Sequence, residues 1–108
     1  MPGRVVSRRQ FAEFAAPTGR GRSGPLRVVF VEHSDHGSRD VAYAIGRKVA
    51  IAVVRNRIRR RLRAAMDGLS PAPRNGLYLI KCGNGTGQLS YDELQHHLLV
   101  ALQAARAL

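Results

Sequence analysis

The feature that most limits what this chain can fold into is a basic segment that also has the apolar spacing of a helix. From Val41 to Met66 there are eight basic residues and no acidic one, and six arginines fall within residues 55–63. Apolar residues recur every three or four positions through this segment, which is the spacing of one helix face. We therefore predict an amphipathic helix over roughly Ala50–Met66, with one apolar stripe made by Val54, Ile58, Leu62 and either Ala65 or Met66.

The charge of this helix indicates a polyanionic partner. Arg55, Arg59 and Arg63 follow one another at i,i+4, where like charges destabilise a helix, and a solvated surface helix usually mixes both signs. The chain has a formal net charge of +11, but the 82 residues outside 41–66 contain ten bases and seven acids. Most of the excess thus belongs to one element, and 16 of the 18 bases are arginine, which suits phosphate contact.

The remaining pattern predicts a small α+β domain in which helices pack on a mixed sheet. A capping box at Ser7 and Gln10 predicts a first helix from Arg8 to about Ala16. Two strands, Leu26–His33 and Asp40–Gly46, are expected to form an antiparallel hairpin. The arginine helix ends at Gly68. A third strand, Leu77–Cys82, and a last helix opened by Ser90 and Glu93, with the stripe Leu94, Leu98, Leu102 and Ala105, complete the order α-β-β-α-β-α.

Residues 17–25 read as a flexible turn region, because glycine and proline are frequent there. An additional short strand within Gly19–Gly24 stays open at this stage. We expect residues 1–108 to form one domain, with 1–6 flexible, since this length is typical of single domains.

Membrane, export and redox classes are disfavoured. No apolar run approaches the roughly 20 residues that cross a bilayer. Arg8–Arg9 superficially matches a twin-arginine export signal, but Glu13 and Pro17 interrupt the apolar stretch that would have to follow. A single cysteine, Cys82, excludes an intrachain disulfide. The expected location is cytoplasmic.

The sequence predicts neither a metal site nor catalytic side chains. His33, Asp35 and His36 share a connector without a rigid second shell, and His96 and His97 are consecutive on a helix, so they point in different directions. The seven acidic residues are scattered, and no pair suggests acid–base catalysis. We expect no cofactor bound by the protein alone.

The arginine helix also has a specific motif. The run from Arg47 to Arg63 contains a basic pair, Ala52–Val53 and then Arg55-Asn56-Arg57, followed by an apolar residue and further bases. This run resembles the signature of the bacterial ribonuclease P protein component. The resemblance covers nearly the whole chain, because Phe11 and Phe14 precede the strands, and Lys81 and the helix entry Gln88-Leu89-Ser90-Tyr91 follow them as in that family.

The resemblance implies the protein subunit of a ribonucleoprotein endoribonuclease that removes the 5′ leader from precursor tRNA. It implies that the RNA subunit and its Mg²⁺ ions perform catalysis, while the protein binds that RNA and grips the leader between the first helix and the sheet. The implied partners are the ribonuclease P RNA and precursor tRNA, with no membrane and no obligate protein partner. The implied fold includes a left-handed β-α-β crossover, against the usual hand.

Transferred residue by residue, the resemblance implies two sets of contacts. The RNA-subunit contacts are Arg47, Lys48, Arg55, Asn56, Arg57, Arg59, Arg60 and Arg63, and the leader contacts are Phe11, Phe14, Phe30, Tyr43 and Gly46. Two points stay open: Asn56 either faces the RNA or bonds its own backbone, and Phe30 and Tyr43 line either the cleft or the core.

The chain departs from the family pattern in places, and other functions remain to be weighed. Gly46 stands where a serine is common, and Ala50–Ile51 where Gly-Asn is common. One rival is a ribosomal or other structural RNA-binding protein without a role in cleavage. A DNA-binding helix is a weaker rival, because arginines without Asn or Gln along the reading face favour phosphates over base edges.

Overall fold

The computed structural model describes residues 12–32 and 39–108. The prediction of a mixed α+β fold is confirmed. The elements, in chain order, are a 3-10 turn Ala12–Ala15, strands β1 (Gly19–Ser23), β2 (Leu26–Glu32) and β3 (Arg39–Ile45), helix α1 (Ala52–Asp67), strand β4 (Gly76–Cys82), a 3-10 turn Thr86–Gln88 and helix α2 (Tyr91–Ala104). Only the end of the first predicted helix is described, and Ser7 and Gln10 lie outside the described residues.

The four strands form one sheet in the order β1-β2-β4-β3, so the predicted hairpin of β2 with β3 is wrong. Strand β2 instead forms its hairpin with β1 through the two residues Gly24 and Pro25, and it pairs antiparallel with β4 on its other side. Strands β3 and β4 are parallel and are connected by a crossover that contains α1. The hand of that crossover stays a prediction.

Strand β1 is the additional short strand that the sequence leaves open within Gly19–Gly24, so the alternative of a flexible turn is wrong there. The reason lies in the alternation of glycine and arginine from Gly19 to Arg22. A Cβ atom on Gly19 or Gly21 would overlap the carbonyl oxygens of Ala105 or Ala101 on the neighbouring helical segment. The glycines therefore let β1 lie directly against α2, and the arginines between them point to the other face of the sheet.

One face of the sheet is covered by the two helices. The predicted stripes are confirmed: Ile58, Leu62, Ala65 and Met66 of α1 are buried, as are Leu94, Leu98 and Leu102 of α2. They pack on the helix-facing side chains of the strands, among them Leu26, Val28, Phe30, Val41, Ile45, Tyr78 and Ile80. A smaller apolar cluster, Phe14, Val29, Val31, Leu77 and Leu79, lies on the opposite face, which we call the open face.

The start of α2 and the end of α1 are as predicted from the sequence, whereas α1 begins without a side-chain cap. Ser90 and Glu93 form the predicted reciprocal capping box of α2, with hydrogen bonds of 2.8 and 3.1 Å between side chains and backbone N–H groups. Gly68 follows α1 as predicted. The N-cap of α1 is Ile51, whose side chain provides no hydrogen bond. The first turn of the arginine helix thus begins without a side-chain cap.

Candidate nucleic-acid interface

Helix α1 presents its arginines on both sides of the buried stripe. Arg57, Arg60 and Arg63 are exposed, whereas the other three arginines of residues 55–63 are half-buried. The half-buried ones are held by oxygen acceptors: Arg55 donates to the Ala50 carbonyl at 3.1 Å, Arg59 to Asn56 Oδ1 at 2.9 Å and Arg61 to the Leu89 carbonyl at 3.5 Å. These guanidinium groups are therefore oriented before any ligand binds, which reduces the entropy that binding would cost.

Asn56 has a role in this arrangement that neither open reading described. The residue is exposed, and its amide oxygen accepts the hydrogen bond from Arg59 one turn further along the helix. Asn56 therefore positions an arginine on the exposed side of α1. This geometry is compatible with an RNA-facing amide and leaves direct RNA contact by Asn56 a prediction.

Tyr43 lies on the helix face of the sheet, next to Arg63. It is half-buried and packs against the main core. Burial raises the pKa of the Tyr43 phenol, while the charge of Arg63 and a hydrogen bond from its side chain oppose that rise. Of the two places left open for Tyr43, the cleft and the core, the structure favours the core, because β3 directs this side chain toward α1.

The alternative left open for Phe30, cleft or core, is decided in favour of the core. Its side chain is fully buried on the helix face and stacks on Tyr78 with ring centroids 4.8 Å apart. A base cannot reach this ring, so Phe30 is a core residue and not a leader contact. Phe14 lies on the open face as the prediction requires, and Phe11 lies outside the described residues.

The open face contains a second basic surface that sequence reasoning missed. Strand register places Arg22, Arg27 and Lys81 side by side across β1, β2 and β4, and it places Arg20, Val29 and Leu79 in the next row. With Phe14, these residues line a groove of about 800 Å³. Asp40 also lies on this face. Its register partner is Leu77, so it is located toward the other end of the strands. We call the four bases and Phe14 the open-face groove.

A sequence signal for this groove existed. Arg20 and Arg22 alternate with glycine, as side chains on one face of a strand do, and Lys81 ends a strand. Glycine is rare in strands, so the same alternation of glycine and arginine also fits a turn. The groove also continues past the strand ends, where Arg22, Arg27 and Lys81 meet Gly83 and Asn84 in a polar depression of about 340 Å³.

The segment Gly46–Lys48 connects the two basic surfaces along the chain. Gly46, Arg47 and Lys48 are exposed, and the Val49 N–H closes a turn onto the Gly46 carbonyl at 3.1 Å. Gly46 follows Ile45, which is the register partner of Cys82, so it leaves the sheet at the same end as Lys81. The segment then leads into the N-terminus of α1.

The described part of the chain offers little for metal or thiol chemistry. Residues 12–32 and 39–108 contain no group of three or more His, Cys, Asp or Glu side chains arranged to hold a metal ion. Burial raises the pKa of the Cys82 thiol to about 12, and the nearby charge of Arg59 only partly opposes this. His33 and His36 lie outside the described residues. None of the described helices is both long and apolar enough to span a membrane.

Comparisons with known proteins agree with this geometry. The family model for Ribonuclease P matches residues 2–106. The ribonuclease P protein component of Symbiobacterium thermophilum is 41% identical over 78 residues, covering 71% of this chain and 67% of that protein. That of Streptococcus pyogenes serotype M49 is 28% identical over 98 residues, covering 89% and 82%.

A solved structure shares the fold. The Staphylococcus aureus RNase P protein matches with a TM-score of 0.80 over 96% of this chain and 95% of that one, at 15% sequence identity. At this identity the likeness concerns the fold alone. The shared features are a four-stranded mixed sheet and two helices, the same architecture that places one basic surface on each side of the present sheet.

Proposed function

The chain belongs to the ribonuclease P protein family, the protein subunits of a ribonucleoprotein endonuclease that processes tRNA 5′ ends, and we propose that its two basic surfaces bind two different RNAs. Helix α1 binds the ribonuclease P RNA subunit. The open-face groove binds the single-stranded 5′ leader of precursor tRNA. The observation on which this division rests is that the sheet separates the two surfaces, since α1 packs on one face and the groove lies on the other.

The charge and preorganisation of α1 support its assignment to the RNA subunit. Together with Arg47 and Lys48, its six arginines lie in a segment, Val41 to Met66, that contains no acidic residue. Each phosphate that they neutralise releases condensed counterions, which offsets the repulsion within the helix. Asn56 supports this surface because it holds Arg59, and Tyr43 lies beside Arg63.

The chemistry of the open-face groove suits a single strand. Its row of bases, Arg22, Arg27 and Lys81, crosses three neighbouring strands that are spaced by roughly 4.8 Å, so it can follow a phosphate backbone. The adjacent row is apolar apart from Arg20 and suits contact with bases or riboses. Phe14 forms one wall, and Phe11 and Gly46 remain predicted contacts.

Catalysis is assigned to the RNA subunit, with Mg²⁺ ions that the RNA holds. The donor set of the described residues does not fit a protein-held metal, because they bring no cluster of carboxylate, imidazole or thiolate groups together. Within the complex, this chain binds, orients and neutralises phosphates.

Leader release at low Mg²⁺ concentration tests the proposed function. Precursor tRNA and ribonuclease P RNA are incubated with and without the protein, and the released leader is measured. We expect the protein to raise the cleavage rate, since its positive charge replaces part of the screening that the ions provide. No increase over RNA alone would leave a structural RNA-binding role and overturn this one.

Variants on the two surfaces test their division. Arg59→Ala and Arg63→Ala should weaken binding to the RNA subunit and reduce the logarithmic salt slope by about 0.7 to 0.9 for each lost phosphate contact. Arg22→Ala and Lys81→Ala should bind the RNA subunit normally but weaken binding of precursor tRNA with a leader, relative to tRNA without one. Equal losses for both ligands in all four variants would contradict the division.

A charge-matched control is available at the far end of the sheet. Arg106 is exposed and lies beyond α2, and its carbonyl accepts a hydrogen bond from Arg74. Its backbone has a positive φ of 65°, which asparagine tolerates. Arg106→Asn therefore removes one positive charge that lies outside both surfaces. It should change both affinities and both salt slopes less than the test variants do.

A further inference from the structure

A depression on the helix side of the molecule is not explained by the two surfaces described so far. It lies between α1 and the beginning of α2 and has a volume of about 370 Å³. The lining residues are Arg57, Arg60, Arg61, Ala64 and Tyr91. We call this depression the Tyr91 notch. It is separated from the open-face groove by the sheet, because both helices pack on the opposite face.

One of the three arginines of the notch is held in place by a hydrogen bond. Arg61 reaches across it and donates to the Leu89 carbonyl at 3.5 Å, two residues before Tyr91. Tyr91 is the first residue of α2, directly after the capping box of Ser90 and Glu93. The small side chain of Ala64 leaves room between Arg57, Arg60 and Arg61. A ligand would therefore meet one guanidinium group that is already oriented.

Tyr91 is unusual for its exposure. Tyr91 is 37% exposed, and among the large apolar residues in the described part of the chain only Ile51 and Val53, at 71% and 75%, are more exposed. An exposed aromatic ring beside three guanidinium groups combines the two contacts that proteins use for unpaired nucleotides. The ring stacks on a base, and the cations bind the flanking phosphates.

We propose that the Tyr91 notch binds one unpaired nucleotide of the ribonuclease P RNA subunit, with its base on the Tyr91 ring and its flanking phosphates on Arg57, Arg60 and Arg61. This inference rests on the proposed function, in which α1 binds that RNA. The base must be unpaired, because the faces of a base within a duplex are already stacked. The leader is disfavoured as occupant because its groove lies on the other side of the sheet.

Three substitutions test the notch by direct titration of the full-length protein with ribonuclease P RNA. Tyr91→Ala removes the stacking ring and should weaken binding by about tenfold. Tyr91→Phe keeps the ring and should bind within about twofold of the unaltered protein. Ala64→Leu fills the notch without removing a charge, and its loss should be similar to that of Tyr91→Ala. Ala64→Ser changes the same position but leaves the notch open, because serine is close to alanine in size. It is the control and should bind normally.

Salt dependence separates stacking from charge. Tyr91→Ala removes the ring but no phosphate contact, so it should lower affinity by the same factor at every salt concentration, with an unchanged logarithmic slope. Arg57→Ala should reduce the slope instead. Chemical modification of the RNA bases provides a second readout: one unpaired nucleotide should be protected by the unaltered protein and by Tyr91→Phe, and exposed again with Tyr91→Ala.

The outcomes distinguish the notch from the function on which it rests. If the unaltered protein fails to bind the RNA subunit, the proposed function is wrong. If it binds but Tyr91→Ala and Ala64→Leu bind equally well, the notch proposal alone is wrong. An equal loss in Tyr91→Phe and Tyr91→Ala would overturn stacking, because the ring remains in the first. Thermal unfolding of each variant must match that of Ala64→Ser for a loss of affinity to count.

Discussion

The phenol of Tyr43 on the edge strand β3 lies beside the guanidinium group of Arg63 on the arginine helix, whose charge opposes the rise that burial causes in the pKa of Tyr43. This contact links the helix to the sheet on the side away from α2. Tyr43 is half-buried and packs against the core, and it supports the exposed Arg63 from the sheet. A residue that the sequence leaves between the leader cleft and the core thus lies beneath the arginine helix.

Replacing Tyr43 with phenylalanine tests that support. Tyr43→Phe keeps the ring but removes the acceptor, so we expect a loss of about 1 kcal/mol in the free energy of unfolding. Binding to the RNA subunit should weaken by about threefold, because Arg63 must then be ordered upon binding. Urea unfolding and RNA titration measure the two effects. In a double-mutant cycle with Arg63→Ala, additive unfolding free energies would show that the two side chains do not interact.

Local sequence signals predicted the helices well. The buried stripe of α1, its end at Gly68 and the capping box of α2 depend on residues three or four positions apart, and all were found. The arginines of the candidate site could be named for the same reason. Their apolar neighbours fix which way the helix faces, and the charges then have to lie outside.

Strand pairing and face assignment depended on contacts that sequence spacing does not contain. Strand β4 inserts between β2 and β3, although it follows them by a whole helix in the chain. Strand β2 is apolar on both faces from Val28 to Val31, so alternation could not show that Phe30 faces the helices and Val29 the open face. The open-face groove could not be predicted because its bases come together only when β1, β2 and β4 are paired in register.

The close approach of β1 to α2 makes a sharp prediction about its glycines. A side chain at Gly21 would overlap the Ala101 carbonyl oxygen, whereas a Cβ atom at Gly46 would meet no atom within 4 Å. We therefore expect Gly21→Ala to cost about 3 kcal/mol or more in the free energy of unfolding. Gly46→Ala should be neutral or stabilising by at most about 1 kcal/mol. Urea unfolding of both variants decides the matter, and equal stabilities would contradict the packing of β1 on α2.

The uncapped start of α1 predicts a stabilising substitution. Ile51 is the N-cap residue and is 71% exposed, so it contributes little packing and no hydrogen bond. Ile51→Asn supplies a side-chain acceptor for the first turn and should raise the free energy of unfolding by about 1 kcal/mol. Thermal unfolding followed by circular dichroism measures the change.

The capped helix provides the reverse experiment for this prediction. Ser90→Ala removes an existing cap from α2 and should lower the free energy of unfolding by a similar amount, about 1 kcal/mol. A destabilised Ile51→Asn beside a destabilised Ser90→Ala would mean that Ile51 packs on another part of the chain. In that case the lack of a cap would be offset by apolar contact.

Burial of Cys82 predicts a loss of stability in alkaline solution. Because burial raises the pKa of its thiol from 9.0 to about 12, the folded state retains a proton that the unfolded state releases. The contribution to stability is therefore complete below about pH 9 and is lost as the pH rises toward 12. Tyr43 and Tyr78, whose pKa values are also raised by burial, add to the loss only above their ordinary value of 10.0. Urea unfolding at pH 8, 9 and 10 should show a decline that Cys82→Ala reduces, and an identical decline in both proteins would rule out the thiol as its source.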